Sequence, residues 1–296
     1  MKRFAYLLLL IPAFALILAA VPGCPKGDNK PADGKKGGDG GKAGDGKGDG
    51  KGKAEALAVK TFDGAVKGQV TFDGTAPTMK EIAAVDAHDD KVKCHEGATK
   101  DPTWIVSKDG GVEDVIVYLE APAGKFFAID DKLAKTYKDD PWIDQPFCLY
   151  EPQAVGIFAA YKTADGKSHD TGLKFLVKNS AKVSHNTKLT GDGKANETIS
   201  KNINPGEKEL YPVKYQKDLL PISCDKHTWM KATLKAFDHP FFAVTDKNGN
   251  FEIKNLPVGV EVTVKTWHVD SPTVSHTHTF KTGDNDALKL KIKAGS

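Results

Sequence analysis

The sequence predicts an all-β protein, because short runs of β-branched and aromatic residues recur along most of its 296 residues and are separated by turn residues. Asp109-Gly110, Asp165-Gly166 and Asn248-Gly249 are dipeptides typical of tight turns. Short strands at regular spacing with such turns favour a sandwich or a barrel. The clearest strand candidates are Gly68–Phe72, Val112–Leu119, Leu173–Val177, Ala232–Ala236, Phe251–Ile253 and Val260–Trp267.

One helix and one domain boundary interrupt this pattern. Residues 127–137 carry apolar side chains at helical spacing, which predicts a helix there. Pro240 interrupts a strand pattern, and a new hairpin pattern starts at Phe241. The folded part is therefore divided into a larger β domain, residues 57–238, and a smaller one, residues 239–296.

The first 23 residues have the layout of an export signal. Lys2 and Arg3 precede a continuous apolar run, and a small-residue stretch ends in Cys24. This stretch resembles a bacterial lipobox, in which the cysteine after the cleavage site receives lipid, although Pro22 departs from the usual small residue. Lipidation of Cys24 is expected, and simple cleavage to a soluble product is the alternative. Both place the protein outside the cytoplasm, in the periplasm or on the cell surface.

Residues 24–56 are predicted to be a disordered tether. Residues 25–56 contain 11 glycines and no aromatic side chain, so they bury too little apolar area to offset their chain entropy. A glycine-rich coil of this length has a root-mean-square span on the order of 30 Å. If Cys24 is lipidated, the tether lets the folded part move above a membrane.

Composition and motifs exclude several function classes. The formal net charge is +3; Lys2 and Arg3 contribute +2 and residues 25–56 a further +2, so the rest is close to −1. A nucleic-acid-binding protein is therefore disfavoured, because no basic domain would neutralise phosphates. The serine-hydrolase, zinc-peptidase and phosphate-loop motifs are absent from the sequence. Paired carboxylates such as Asp89-Asp90 are interpreted as solvated loops, and the protein is predicted not to be an enzyme.

One group of residues carries side chains that are typical metal ligands. Cys224-x-x-His227-x-x-Met230 places a thiol, an imidazole and a thioether within seven residues, and His185 follows an upstream strand candidate. Two histidines, one cysteine and a weak axial methionine are the ligands of a blue copper site. Sulfur ligands favour Cu(I) and imidazoles hold Cu(II), so a fixed intermediate geometry lets one electron pass with little rearrangement. A metal-free β domain, in which Cys224 and Met230 fill the core, is the alternative.

These segments resemble the cupredoxins over roughly residues 150–238. Residues 179–186 are similar to the cupredoxin Asn…His-Asn segment, and the Cys-x-x-His-x-x-Met spacing is similar to that of amicyanins. The resemblance implies a Greek-key β-sandwich and an electron port at His227 near the surface. It also implies that Asn186 joins the two ligand loops by hydrogen bonds. The implied ligands of a single copper ion are His185, Cys224, His227 and Met230. Residues 60–150 have no counterpart in a minimal cupredoxin and are expected to form additional strands.

Two cysteines remain once Cys24 is assigned to lipid and Cys224 to the metal. Cys94 and Cys148 are expected to form a disulfide, because the predicted compartment is oxidising. Free thiols are the alternative.

The C-terminal segment resembles the carboxypeptidase-regulatory-like (transthyretin-like) domains. Asp246 to Phe251 match the Asp-x-x-Gly-x-Phe hairpin of that family, and Leu256 to Gly259 match its Leu-Pro-x-Gly. The segment is shorter than a full module, so it is expected to borrow strands. His276 and His278 alternate in a predicted strand and share one face. They are candidates for a Cu(II) or Zn(II) loading site, with an exposed polar face as the alternative.

The sequence therefore predicts an exported, lipid-anchored blue copper protein that transfers single electrons. Its expected partner is another extracytoplasmic redox protein, a cytochrome or a dehydrogenase, and it is expected to be a monomer. Copper storage or delivery through the same ligands is one alternative. A metal-free surface binding module is the other.

Overall fold

The computed structural model describes residues 54–97 and 99–295. The predicted export signal, Cys24 and the predicted tether up to residue 53 lie outside the described residues. Within the described part of the chain, no helix is long and apolar enough to span a membrane. All the described residues belong to one compact unit.

Strands dominate the described residues, which confirms the predicted all-β class. The strands are β1 (Glu55–Ala56), β2 (Gly64–Phe72), β3 (Ile116–Glu120), β4 (Lys125–Phe126), β5 (Trp142–Ile143), β6 (Ala154–Phe158), β7 (Ala160–Lys162), β8 (Ser168–Asp170), β9 (Lys174–Lys178), β10 (His185–Leu189), β11 (Ile199–Ile203), β12 (Lys208–Pro212), β13 (Leu220–Ser223), β14 (Lys231–Phe237), β15 (Phe242–Val244), β16 (Asn250–Leu256), β17 (Glu261–Trp267), β18 (Ser275–Thr279), β19 (Gly283–Asp284) and β20 (Leu288–Ile292). The helices are the short α1 (Ala83–Asp86), α2 (Lys91–Cys94) and α3 (Asp131–Ala134), with a 3₁₀ turn at Pro102–Trp104.

The strand and turn signals of the sequence correspond to structure. Each of the six strand candidates overlaps an observed strand, namely β2, β3, β9, β14, β16 or β17. The glycines of the three turn dipeptides, Gly110, Gly166 and Gly249, have φ angles of 80°, 79° and 76°. Glycine adopts this left-handed conformation without the steric cost of a Cβ atom, so these dipeptides are suited to the turns.

The first sandwich is built from β5, β6 and β9 to β14. One sheet has the order β11-β10-β13-β14-β6, and the facing sheet has the order β12-β9-β5. Along β14 the side chains of Ala232, Leu234 and Ala236 alternate into the interior, as the period of a strand requires. They meet Val177 and Tyr211 from the facing sheet in one apolar core.

The second sandwich combines strands from distant parts of the chain. Its sheets have the orders β15-β3-β17-β18 and β16-β2-β19, and β20 also pairs with β2. Residues such as Val66, Val117, Phe251 and Val264 form its core. The predicted boundary after residue 238 falls between β14 and β15. Strands β2 and β3 precede that boundary but pair with strands that follow it, so the C-terminal segment uses strands from the N-terminal part.

A small apolar junction joins the two sandwiches. The rings of Phe237, at the end of β14, and Phe242, at the start of β15, stack with centroids 4.2 Å apart. Gly156 lies beneath this stack, and a Cβ atom there would come within 2.4 Å of the Phe242 ring. Every residue of β6 is buried, although β6 is the last strand of its sheet. The second sandwich therefore covers this edge.

Residues 82–95, here called the cap, lie over one end of the first sandwich. They contain α1 and α2, and Val85 and Cys94 are buried in the core of the first sandwich. Cys94 forms a disulfide with Cys148, 54 residues further along the chain. The predicted disulfide is thus confirmed, and it fastens the cap to the loop before β6.

The helix predicted over residues 127–137 is wrong in its extent. Only α3 is helical; Asp130 accepts a hydrogen bond from the Leu133 N–H at 2.7 Å and so caps its start. The Ile129 N–H donates to the Lys162 carbonyl at 2.8 Å, a strand-like contact. Phe127 and Ile129 are buried in the second sandwich from an extended chain. Phe127 and Ile129 therefore pack into the sandwich from extended chain, and only Leu133 of the apolar residues at helical spacing lies in α3.

Removal of the disulfide is expected to destabilise the protein. The Cys94→Ser/Cys148→Ser double variant should lose about 2–4 kcal/mol of unfolding free energy, because a cross-link over such a loop restricts the unfolded chain. Urea denaturation of the variant and the wild type measures the difference. Wild-type protein reduced with dithiothreitol is the control and should show a similar loss. Equal midpoints for all three samples would contradict the expectation.

Candidate metal centre

Two neighbouring segments of the first sandwich carry the four predicted metal ligands. His185 begins β10, Cys224 directly follows β13, and Met230 directly precedes β14. Strands β10 and β13 pair antiparallel, with Lys188 opposite Ser223. This pairing brings the start of β10 next to the loop that follows β13.

The structure brings three of these side chains together at one buried point. The Nδ1 atoms of His185 and His227 lie 3.0 Å apart, and the Cys224 sulfur lies 3.8 Å from His227 Nδ1. One donor atom from each of the three residues lies within 4.8 Å of the other two. Met230 is also fully buried, at the end of the same loop.

Backbone hydrogen bonds shape the ligand loop and surround the thiol. The Met230 N–H donates to the His227 carbonyl at 2.8 Å, and the Cys224 N–H donates to the Met230 carbonyl at 3.3 Å. The backbone N–H groups of Asn186 and His227 both point at the Cys224 sulfur, each at 3.4 Å. Both donors place partial positive charge beside the sulfur, which suits the sulfur atom of a metal ligand.

Both histidines of this site are neutral at neutral pH. Burial, reinforced by the neighbouring His227, lowers the pKa of His185 to about 4. Burial, followed by the effect of His88, also lowers the pKa of His227. A neutral imidazole keeps one nitrogen lone pair, which a metal ligand requires.

The separations from His227 Nδ1 to the other two donor atoms are compatible with a single metal ion. Metal bonds of about 2.0–2.1 Å to nitrogen and about 2.3 Å to sulfur limit two donors on one ion to roughly 4.1 Å (N to N) and 4.4 Å (N to S). The observed separations of 3.0 Å and 3.8 Å are inside both limits. Sulfur and imidazole donors are those that copper and zinc prefer.

Asn186 lies between the two ligand segments. Its side-chain oxygen accepts a hydrogen bond from the Asp225 N–H at 3.3 Å, directly after Cys224. Its side-chain nitrogen donates to the Ser200 hydroxyl at 3.0 Å on β11. Asn186 thus contacts both the Cys224 loop and the neighbouring strand.

His227 is buried, and the expectation that it lies near the surface as an electron port is wrong. Its exposed fraction is 0%. The cap covers it: Asp90 Oδ2 lies 3.1 Å from His227 Nε2, and the His88 ring centroid lies 4.6 Å from that of His227. The Trp229 ring centroid lies 5.3 Å from that of His227. The cap and Trp229 of the ligand loop together provide this cover.

Sequence reasoning missed Asp90 and His88 as residues of the site. Asp90 belongs to the carboxylate pair Asp89-Asp90, which the sequence pattern assigns to a solvated loop, and His88 belongs to no motif. Both are about 140 residues from His227 in the chain, and no local motif links them. The one available signal was Cys94, whose disulfide fastens the cap to this end of the sandwich.

The disulfide itself lies beside the candidate metal centre. The sulfur atoms of Cys94 and Cys148 lie within 4.8 Å of a His227 ring nitrogen. They are bonded to each other, so neither is a thiolate ligand, and Cys224 is the free cysteine among the described residues. The Trp229 ring N–H donates to the Cys148 carbonyl at 2.8 Å, which joins the ligand loop to the disulfide.

His276 and His278 lie apart from this centre, on the edge strand β18. His276 is exposed and His278 is half-buried. Among residues 54–97 and 99–295, they belong to no group of three or more side chains with metal-ligand spacing. A loading site there stays a prediction.

Tyr150 is a further residue that sequence reasoning missed. Its side chain is completely buried, and its hydroxyl lies 3.1 Å from the Asn186 carbonyl and 3.0 Å from the Ser223 carbonyl. Burial raises its pKa, so it stays a neutral O–H donor. These carbonyls belong to the residues directly after His185 and directly before Cys224. Tyr150 therefore holds the two ligand segments at a fixed separation.

No protein-family model and no curated protein sequence matches this chain. Several solved structures are similar to part of it. A purple cupredoxin from Nitrosopumilus maritimus is 15% identical, with a TM-score of 0.25, over 33% of this chain and 100% of that chain. An amicyanin variant in the Cu(I) state is 12% identical, with a TM-score of 0.26, over 41% and 98%. A copper-containing nitrite reductase from Thermus scotoductus SA-01 is 11% identical, with a TM-score of 0.27, over 35% and 23%. At these values the likeness carries no functional argument.

Tyr150→Phe is expected to destabilise the protein by about 1–3 kcal/mol, because buried carbonyl groups of both ligand segments lose their shared donor. Urea denaturation measures the loss. Tyr215→Phe is the matched control, since Tyr215 is 38% exposed and its change should cost less than about 0.5 kcal/mol. Equal losses in the two variants would show that the Tyr150 hydroxyl does not join the segments.

Proposed function

We propose that the first sandwich binds one copper ion through His185, Cys224, His227 and Met230, and that the protein carries single electrons. The observation that supports this proposal is the convergence of two imidazole Nδ1 atoms and a free thiol on one buried point. When bound, copper supplies the one-electron Cu(I)/Cu(II) couple at this point.

The surroundings of the donor atoms suit electron transfer. The ligands extend from strand ends that Tyr150, Asn186 and backbone hydrogen bonds hold in place. Burial of His185, Cys224 and His227 excludes water from the donor atoms. A rigid and dry site changes little between two oxidation states, which keeps the barrier to electron transfer low.

The closed site favours electron carriage over storage or delivery. A delivery protein must release its ion to an acceptor, which requires an open path to the ligands. Here Asp90, His88 and Trp229 pack around His227. The proposed set of four ligands leaves no open position for a substrate, which favours a carrier over an enzyme.

We further propose that the protein works outside the cytoplasm, anchored through lipid on Cys24, as a monomer. Its proposed partner is an extracytoplasmic cytochrome or dehydrogenase. The N-terminal sequence pattern supports the location, and the disulfide between Cys94 and Cys148 is typical of an oxidising compartment.

Stoichiometric Cu(II) added to the purified protein should produce an intense visible absorption band, which arises from charge transfer between the thiolate and copper. The band should saturate at one copper per chain and be absent in Cys224→Ser. His169→Ala is the control, because His169 is exposed, and should leave the band unchanged. A colourless sample whose Cys224 thiol is shown to be reduced would overturn the proposal in favour of a metal-free binding module. Ready transfer of copper to an acceptor apoprotein would favour delivery.

Met230→Leu should leave the visible band largely intact and raise the reduction potential, because loss of a weak sulfur donor disfavours Cu(II). Met79→Leu makes the same chemical change at a residue that is 38% exposed, and should leave the potential unchanged. Voltammetry of both variants compares them. Indistinguishable potentials would exclude Met230 as a ligand.

A further inference from the structure

We infer that Asp90 is a positioning residue for the metal centre: its carboxylate fixes the tautomer of His227 and so directs the Nδ1 lone pair toward Cys224 and His185. The part of this inference that concerns metal rests on the proposed function. The part that concerns the tautomer can be tested in the metal-free protein.

The two nitrogens of His227 have different partners on opposite sides of the ring. Nε2 lies 3.1 Å from Asp90 Oδ2, whereas Nδ1 lies 3.0 Å from His185 Nδ1 and 3.8 Å from the Cys224 sulfur. An ionised carboxylate only accepts hydrogen bonds, so Nε2 must carry the proton. A neutral imidazole has one ring proton, so Nδ1 keeps the lone pair and, in the metal-free protein, accepts a hydrogen bond from His185 Nδ1, 3.0 Å away.

The cap holds the Asp90 carboxylate in this position. The Asp90 carbonyl accepts the Cys94 N–H at 3.0 Å at the start of α2, and Cys94 is fastened to Cys148. The Asp90 N–H donates to His88 Nδ1 at 3.1 Å. Asp90 is thus connected by its backbone to the disulfide and by its side chain to a metal-ligand candidate.

His88 lies between Asp90 and the ligand loop and is held there by hydrogen bonds to the backbone. Its Nδ1 accepts the Asp90 N–H, and its Nε2 lies 3.2 Å from the Lys226 carbonyl, to which it donates. Both ring nitrogens therefore have backbone partners. His88, Asp90 and His227 have the spacing of a metal group, but a second ion there would have to break one of these hydrogen bonds. The ring instead packs against His227 and Trp229.

A carboxylate hydrogen-bonded to a ligand imidazole makes that imidazole a stronger donor, and removal of such a partner typically costs 10–100-fold in metal affinity. The effect should be larger for Cu(II) than for Cu(I), because the higher charge responds more to a nearby anion. Removal of the Asp90 charge should therefore favour the reduced ion.

The experiment compares Asp90→Asn with Asp89→Asn in the full chain. Asp89 is the exposed neighbour, so its variant makes the same change in net charge one residue away. Competition with copper chelators measures the Cu(II) and Cu(I) affinities, and voltammetry measures the potential. Asp90→Asn should bind Cu(II) about 10–100-fold more weakly, with a smaller change for Cu(I). Each tenfold difference between the two oxidation states corresponds to a rise of about 59 mV. Asp89→Asn should stay close to the wild type.

A second measurement uses metal-free protein. Nitrogen-detected NMR of the His227 ring should show one tautomer, protonated at Nε2, in the wild type. Asp90→Asn keeps an acceptor oxygen and should keep that tautomer, whereas Asp90→Leu should give a mixture.

Three results would overturn the inference. The first is a single Nε2–H tautomer in Asp90→Leu, and the second is equal affinities and potentials for the Asp90 and Asp89 variants. The third is two copper ions per wild-type chain that fall to one in Asp90→Asn, which would assign Asp90 to a bridged second site. A wild-type protein that binds no copper would overturn the proposed function, while the tautomer measurement would still decide whether Asp90 holds His227.

Discussion

The antiparallel pairing of β10 with β13 is the constraint on which the candidate metal centre depends. Its register places Lys188 opposite Ser223 and Leu189 opposite Ile222. Because side chains alternate across a strand, a slip of one residue would turn His185 to the opposite face of the sheet. The buried hydroxyl of Tyr150, within hydrogen-bond distance of the Asn186 and Ser223 carbonyls, adds a direct connection between the two segments. The donor atoms therefore converge because of sheet register and one tyrosine, and the ligand loop adds only a short turn.

The features that could be predicted from the sequence are local ones. Strands were recognised from residue type and spacing, and turns such as Asn248-Gly249 from a dipeptide whose glycine adopts a positive φ. The candidate ligands Cys224, His227 and Met230 lie three residues apart, so their grouping was visible as a motif. His185 lies in a separate segment, and only the pairing of β10 with β13 brings it to that motif.

The features that could not be predicted depend on contacts between distant residues. Asp90 and His227 are 137 residues apart, and Tyr150 and Ser223 are 73 apart. Nothing in the local sequence distinguishes Asp90 from its exposed neighbour Asp89. The apolar spacing around Ile129 predicts a long helix when it is considered alone. In the fold the same side chains complete the core of a sandwich whose other strands come from both ends of the described chain.

The position of the disulfide has a consequence for the order in which the protein matures. In a reducing compartment the chain would present Cys94, Cys148 and Cys224 as thiols, and His227 lies within metal-ligand distance of all three. In that state a soft metal ion would be able to bind the sulfur atoms of Cys94 and Cys148 instead of that of Cys224. Formation of the Cys94–Cys148 bond leaves Cys224 as the free thiol of the described chain. Formation of the disulfide therefore removes two of the three sulfur atoms near His227 and leaves that of Cys224 for the proposed copper ion.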